Sequence, residues 1–116
     1  MMNSVFLMLA DDWGSYDASY RIRALGRTPD VLTPHIDALA ANGLTLQNYY
    51  VQPICSPTRA SLLSGRYSIH TGCEHRLFGS FEPSCIPVDF PLMPSAFKKL
   101  GYQTHMIGSE CQRCRA

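Results

Sequence analysis

Cys55 stands two residues before Pro57 and four before Arg59, at the head of a run that ends at Gly65-Arg66. A thiol packed away for structure needs neither the proline nor the arginine. A thiol presented at a helix start, facing an anion, uses both. The first turn of a helix offers backbone N–H groups and the positive end of the dipole, which favour an anion there and a thiolate over a thiol. Arg59 lies one turn along the same face, where it can pair with an anionic group. Arg66 follows the helix end, where a cation suits the dipole. On these terms Cys55 is either a nucleophile or a small buried hydrophobe, and the residue types leave both open. Asp11 and Asp12 follow the apolar stretch SVFLMLA directly. Adjacent carboxylates are hard oxygen ligands for a divalent cation such as Ca²⁺ or Mg²⁺. The same residues also form turns and caps.

The elements around these residues place them. Ser4–Ala10 is continuously apolar and is expected as a strand buried on both faces. Residues 11–30 contain Gly14, Gly26 and Pro29 and are expected as a long loop. In TPHIDALAANG, Thr33 suits the cap and Pro34 the first turn. Ile36, Leu39 and Ala40 share one face, and Gly43 suits the C′ position. LTLQNYYV (44–51) then predicts a second strand. A helix follows over residues 56–64 and stops at Gly65. Residues 66–90 are rich in glycine and proline, and residues 91–100 predict another helix, with Met93, Ala96, Phe97 and Leu100 at helical spacing. YQTHMIG (102–108) predicts a third strand. Strand, helix and strand in that order imply parallel neighbours, and so an α/β domain with a mostly parallel sheet flanked by helices. Ligands of such sheets bind beyond the carboxyl ends of the strands. Asp11, Asp12 and Cys55 all occupy that position, and residues after Gly108 should point at the same crevice.

The 116 residues suffice for one small domain with one core. With 46% hydrophobic and 16% charged residues the composition is that of a folded chain. A net charge of +1 gives no case for a nucleic-acid partner. No apolar run approaches the ~20 residues of a membrane span. The apolar start runs into Asp11-Asp12 without a charged leader or cleavage site, so it is not expected to be a signal peptide. Five cysteines leave at least one unpaired if the rest form disulfides. Cys111 and Cys114 form a lone C-x-x-C with no further zinc ligands at a fitting spacing.

The stretch Cys55-Ser-Pro57-Thr-Arg59-Ala-Ser-Leu62-Leu-Ser-Gly65-Arg66 resembles the signature of the sulfatase family. VFLMLADDWG resembles that family's first strand and metal-binding aspartates. TPHIDALAANGLTLQNYYVQPIC resembles the segment leading into the signature, and PSCIPVDFPLMPSAFKKLGYQTHMIG the stretch after it. The match is nearest in kind to the arylsulfatase B-like branch (the N-acetylgalactosamine-4-sulfatase and arylsulfatase I and J type). It covers about residues 4–108.

The resemblance implies an alkaline-phosphatase-like fold and hydrolysis of sulfate esters. It implies that Cys55 is oxidised to formylglycine by a formylglycine-generating enzyme, which reads Pro57 and Arg59 before the segment folds. The hydrated aldehyde would be the nucleophile, with Arg59 orienting it. Asp11, Asp12 and the modified Cys55 would hold one Ca²⁺. The substrate would be a sulfated glycosaminoglycan or an aryl sulfate, and the compartment lysosomal or secretory. A phosphate-ester enzyme of the wider superfamily would carry Ser or Thr at position 55, so the cysteine argues against it.

The pattern also departs. The family continues after its third strand with G-K-x-H, whereas Gly108 here is followed by Ser109, Glu110 and Cys111. Further metal ligands are expected from later segments. Residues 1–108 are therefore expected to be the N-terminal part of the catalytic domain and 109–116 a divergent tail, in an inactive fragment. The alternative is a non-catalytic metal- or anion-binding remnant. Cys85 resembles a family half-cystine, and Cys73 has no assigned counterpart.

Overall fold

The computed structural model describes residues 4–74, 86–87 and 89–108. The chain divides into two compact units, Met1–Tyr49 and Tyr50–Ala116.

In the first unit, α2 spans Pro34–Asn42 where the sequence predicts it, with Pro34 at its first position and Thr33 as N-cap residue. Its start is bonded by Asp37 N–H to Thr33 O at 2.9 Å. The Thr33 hydroxyl, however, does not cap its own helix. It is taken by a second helix, α1 (Ser19–Ala24), in the stretch expected as a loop. Six residues are too few for an autonomous helix, and no apolar stripe marks them in the sequence. What holds α1 is capping from another element. Ser19 N–H donates to Thr33 Oγ1 at 2.9 Å and Tyr20 N–H donates to Asp37 Oδ1 at 3.0 Å. These are the first backbone donors of α1, which intrahelical bonds leave unmet. In return Thr33 N–H donates to Ser19 Oγ at 2.9 Å.

Asp37 is the centre of this knot. Its carboxylate also accepts from Ser19 Oγ at 2.6 Å, Thr33 Oγ1 at 2.9 Å and Arg23 at 2.8 Å. The Ser19 hydroxyl bond is the main cause holding its pKa below the ordinary value. The Thr33 and Tyr20 bonds and the Arg23 charge add to it against desolvation. A depressed folded-state pKa means stability that is full above the unfolded value of about 4 and lost as pH falls through the folded one. Acid titration of the far-ultraviolet helical signal should therefore show α1 melting below about pH 4. Asp37→Asn should remove that step by loosening α1 already at neutral pH, because one amide face presents hydrogens to donors. Coincident acid profiles for the two proteins would contradict the assignment.

In the second unit, α3 (Cys55–Ser64) packs against α4 (Met93–Lys99) and a short 3-10 turn at Ser68–His70. α3 ends as the sequence predicts: Gly65 takes φ +65, and its N–H bonds to Ser61 O at 2.9 Å. That left-handed position costs a side-chain-bearing residue about 1–2 kcal/mol. The core is built on Ala60, Cys73 and Ile86, with Leu63, Phe90 and Leu92 against it. Cys73 is a buried free thiol whose Sγ donates to Thr71 O at 3.3 Å. α4 is shorter than the predicted 91–100, and its end is fixed by Phe97 and Tyr102 packed edge to face at 5.3 Å.

The predicted sheet is not formed among the described residues. None of the three predicted strands, at residues 4–10, 44–51 and 102–108, forms a ladder among the described residues. The first was expected to be buried, yet Phe6 is 89% and Met8 81% exposed. An apolar run encodes burial, but a strand exists only when another strand meets its N–H and C=O groups. Pairing is non-local and the described residues do not supply it. The apolar face of α2 is likewise uncovered, with Ile36 and Leu39 both exposed. Gly43 closes α2 in an extended rather than a left-handed conformation. Among the described residues no helix is long and apolar enough to cross a membrane. Residues 109–116, expected as a divergent tail and including Cys111 and Cys114, lie outside them, as does Cys85.

Candidate active-site elements

The aspartates and the signature cysteine belong to different units, and each set has its own local logic. Asp11 and Asp12 follow the apolar run as an exposed bend. Asp12 has φ +52, the only positive φ outside glycine among the described residues. Aspartate is one of the few residues that tolerates this region. In a strand, neighbouring side chains point to opposite faces, so two adjacent carboxylates could not serve one cation. A left-handed residue breaks that alternation. The next turn is locked by Asp17, whose carboxylate accepts the Gly14 N–H while its own N–H donates to Gly14 O at 3.1 Å. A Cβ on Gly14 would lie 2.9 Å from Asp17 Oδ2, so a larger residue there would displace the Asp17 carboxylate.

Cys55 is the first residue of α3. Ile54 precedes it with extended backbone, φ −136 and ψ 167. The entry is pinned by Thr58, whose hydroxyl has Ile54 O at 2.9 Å and Gln52 O at 3.0 Å as acceptors sharing its one hydrogen. Pro57 occupies the first turn, where no N–H is needed. The buried face of α3 carries Ser56, Pro57 and Ala60, and Ala60 enters the core. Cys55 and Arg59 are half-buried, one turn apart and off that face. The thiol therefore sits at the positive end of a ten-residue helix with a guanidinium beside its row.

Two features of α3 and its flanks were not anticipated. Thr58 anchors the entry through carbonyls that a motif reading does not consider. Arg66, expected to serve the dipole, lies over the Phe90 ring at 4.5 Å from its centre, a cation–π contact that ties the end of the signature to the core.

The family model for sulfatases matches residues 3–112. The chain is a member of the sulfatase family. It is 42% identical over 104 residues to arylsulfatase J of Mus musculus, covering 90% of this chain and 16% of that protein. It is 34% identical over 113 residues to N-acetylgalactosamine-6-sulfatase of Homo sapiens, covering 90% and 21%. Steryl-sulfatase of Rattus norvegicus is 38% identical over 109 residues, covering 88% and 18%. The chain thus spans about a fifth of the length of these sulfatases. Membership implies the alkaline-phosphatase-like α/β fold, of which this chain contributes helices. The family match contains both the aspartate pair and the whole of α3.

Proposed function

We propose that this chain is the N-terminal part of a sulfuric ester hydrolase of arylsulfatase type, with Cys55 as the precursor of its formylglycine nucleophile. One observation carries the proposal. Within the family match, the cysteine opens α3 off the buried face, with Arg59 one turn on. Hydration of the aldehyde gives two hydroxyls on one carbon. One forms a bond to the sulfate sulfur as the ester oxygen leaves with a proton. The other then loses its proton, the carbonyl re-forms, and sulfate departs. Arg59 orients the diol and stabilises charge developing on the sulfate oxygens.

Asp11 and Asp12 are the residues that would hold Ca²⁺, with the modified Cys55 as a third ligand. Exposed, adjacent carboxylates with the strand alternation broken at Asp12 fit a hard cation. Bound there, the ion would polarise the sulfate oxygens. Substrates are sulfated glycosaminoglycans or aryl sulfates. The formylglycine-generating enzyme is a partner, and the lysosomal or secretory pathway is the setting.

Ser109-Glu110-Cys111 favours a second reading for the chain by itself, a metal- or anion-binding remnant without turnover. Lysine and histidine, which in the family contact sulfate and diol, are replaced there. Two carboxylates also supply too few oxygens for a cation that takes six to eight. After coexpression with the formylglycine-generating enzyme, sulfate release from a chromogenic aryl sulfate should match that of Cys55→Ala. Calorimetry should give a Ca²⁺ dissociation constant on the order of 10⁻³ M or weaker, with the heat abolished in Asp12→Ala. Turnover clearly above the Cys55→Ala control would sink the remnant reading and leave the catalytic one.

A further inference from the structure

A cleft of about 380 Å³ opens in the first unit among residues 13–31. Trp13 and Tyr16 line it with aromatic rings, Ile22 and Val31 with aliphatic side chains, and Arg27 and Asp30 with opposite charges. Its walls are fixed by specific bonds. The Asp17–Gly14 turn holds the segment between the two rings. Gly26 at φ +71 reverses the chain after α1, and Arg27 N–H donates to Ile22 O at 3.2 Å. Neither Arg27 nor Asp30 has an ion-pair partner among the described residues. Trp13 and Tyr16 remain 46% and 64% exposed.

This set of groups has a definite complement. Aromatic faces stack on the C–H face of a pyranose ring. A guanidinium donates to hydroxyl or acetamide oxygens, and a carboxylate accepts from hydroxyls. The volume is within the range of small-ligand sites. A hydrocarbon skeleton such as a steroid would desolvate Arg27 and Asp30 without giving them partners. Trp13 also follows Asp12 directly, so the cleft begins where the proposed cation site ends in the sequence. We propose that the cleft is a sugar subsite, taking a pyranose ring that neighbours the sulfated one. The proposal rests on the sulfatase reading for its supply of saccharides.

Trp13 is the sole tryptophan of the chain, so its emission reports this cleft alone. The full 116-residue chain is titrated with unsulfated chondroitin tetrasaccharide in EDTA. A saturable change in emission is expected without any cation. Affinity should fall roughly tenfold in Tyr16→Ala and in Arg27→Ala, and be retained in Tyr16→Phe. Matching circular dichroism spectra verify that the variants fold alike. No saturable change, equal affinity in all four proteins, or tighter binding of estrone than of the tetrasaccharide would overturn the subsite. Failure of the sulfatase reading appears elsewhere, as an unmodified Cys55, and leaves this titration interpretable.

Discussion

Coexpression with the formylglycine-generating enzyme is expected to lower the intact mass of the chain by about 18 Da, the difference between a thiol-bearing carbon and an aldehyde. Cys55→Ala should show no such loss. The effect is all or none, because the modification acts on one atom set. Pro57→Ala and Arg59→Ala should largely lose conversion, since the resemblance makes both part of what the oxidising enzyme reads in the unfolded segment. Ala60→Gly is the informative control. It weakens the middle of α3 by about 1 kcal/mol and opens the core at a fully buried position, yet lies outside the recognised residues. Recognition before folding predicts full conversion of Ala60→Gly, whereas recognition of the folded helix predicts its loss. Peptide mapping across residue 55 checks the result, and a thiol retained in the unmutated chain would remove the basis for the proposed chemistry.

Ile86→Ala should have the largest effect on stability. Ile86 is fully buried and shares the small core with Ala60 and Cys73. Truncating a buried isoleucine costs about 2–5 kcal/mol through lost transfer energy and the cavity left behind. A whole domain holds only about 5–15 kcal/mol, and Ile86 is the largest of the three fully buried side chains of this core among the described residues. Urea unfolding followed by the helical signal should show the midpoint falling sharply, with hydrogen exchange accelerated in α3. Unchanged exchange in α3 would mean that the helix does not depend on this core.

The sequence carried the local part of this structure and not the long-range part. α3 was legible because its start and stop signals are local: a proline in the first turn, and a glycine at the end whose φ only it adopts cheaply. α2 was legible for the same reason, through Thr33 and Pro34. α1 was missed because its caps come from Thr33 and Asp37, about 14 to 18 residues away, and no window along the chain contains both ends of that exchange. The strands were expected from apolar runs, and the side chains of the first stand in the open. Hydrophobicity specifies that a segment is to be covered, without specifying by what. At the proposed site, residue type and spacing singled out Cys55, Arg59, Asp11 and Asp12, and the roles proposed for them came with the family resemblance. The left-handed backbone at Asp12 and the Thr58 anchor were not, because both are properties of the folded main chain.

The borrowed caps of α1 impose an order of events during synthesis. Residues 19–24 leave the ribosome well before residues 33–37. Until the later segment emerges, the backbone donors at Ser19 and Tyr20 have only water to meet. The earlier helix must therefore wait for the later one, and the first unit matures from its trailing end toward its leading end. A pause in translation between the two codon stretches would expose an uncoiled segment just behind the aspartates.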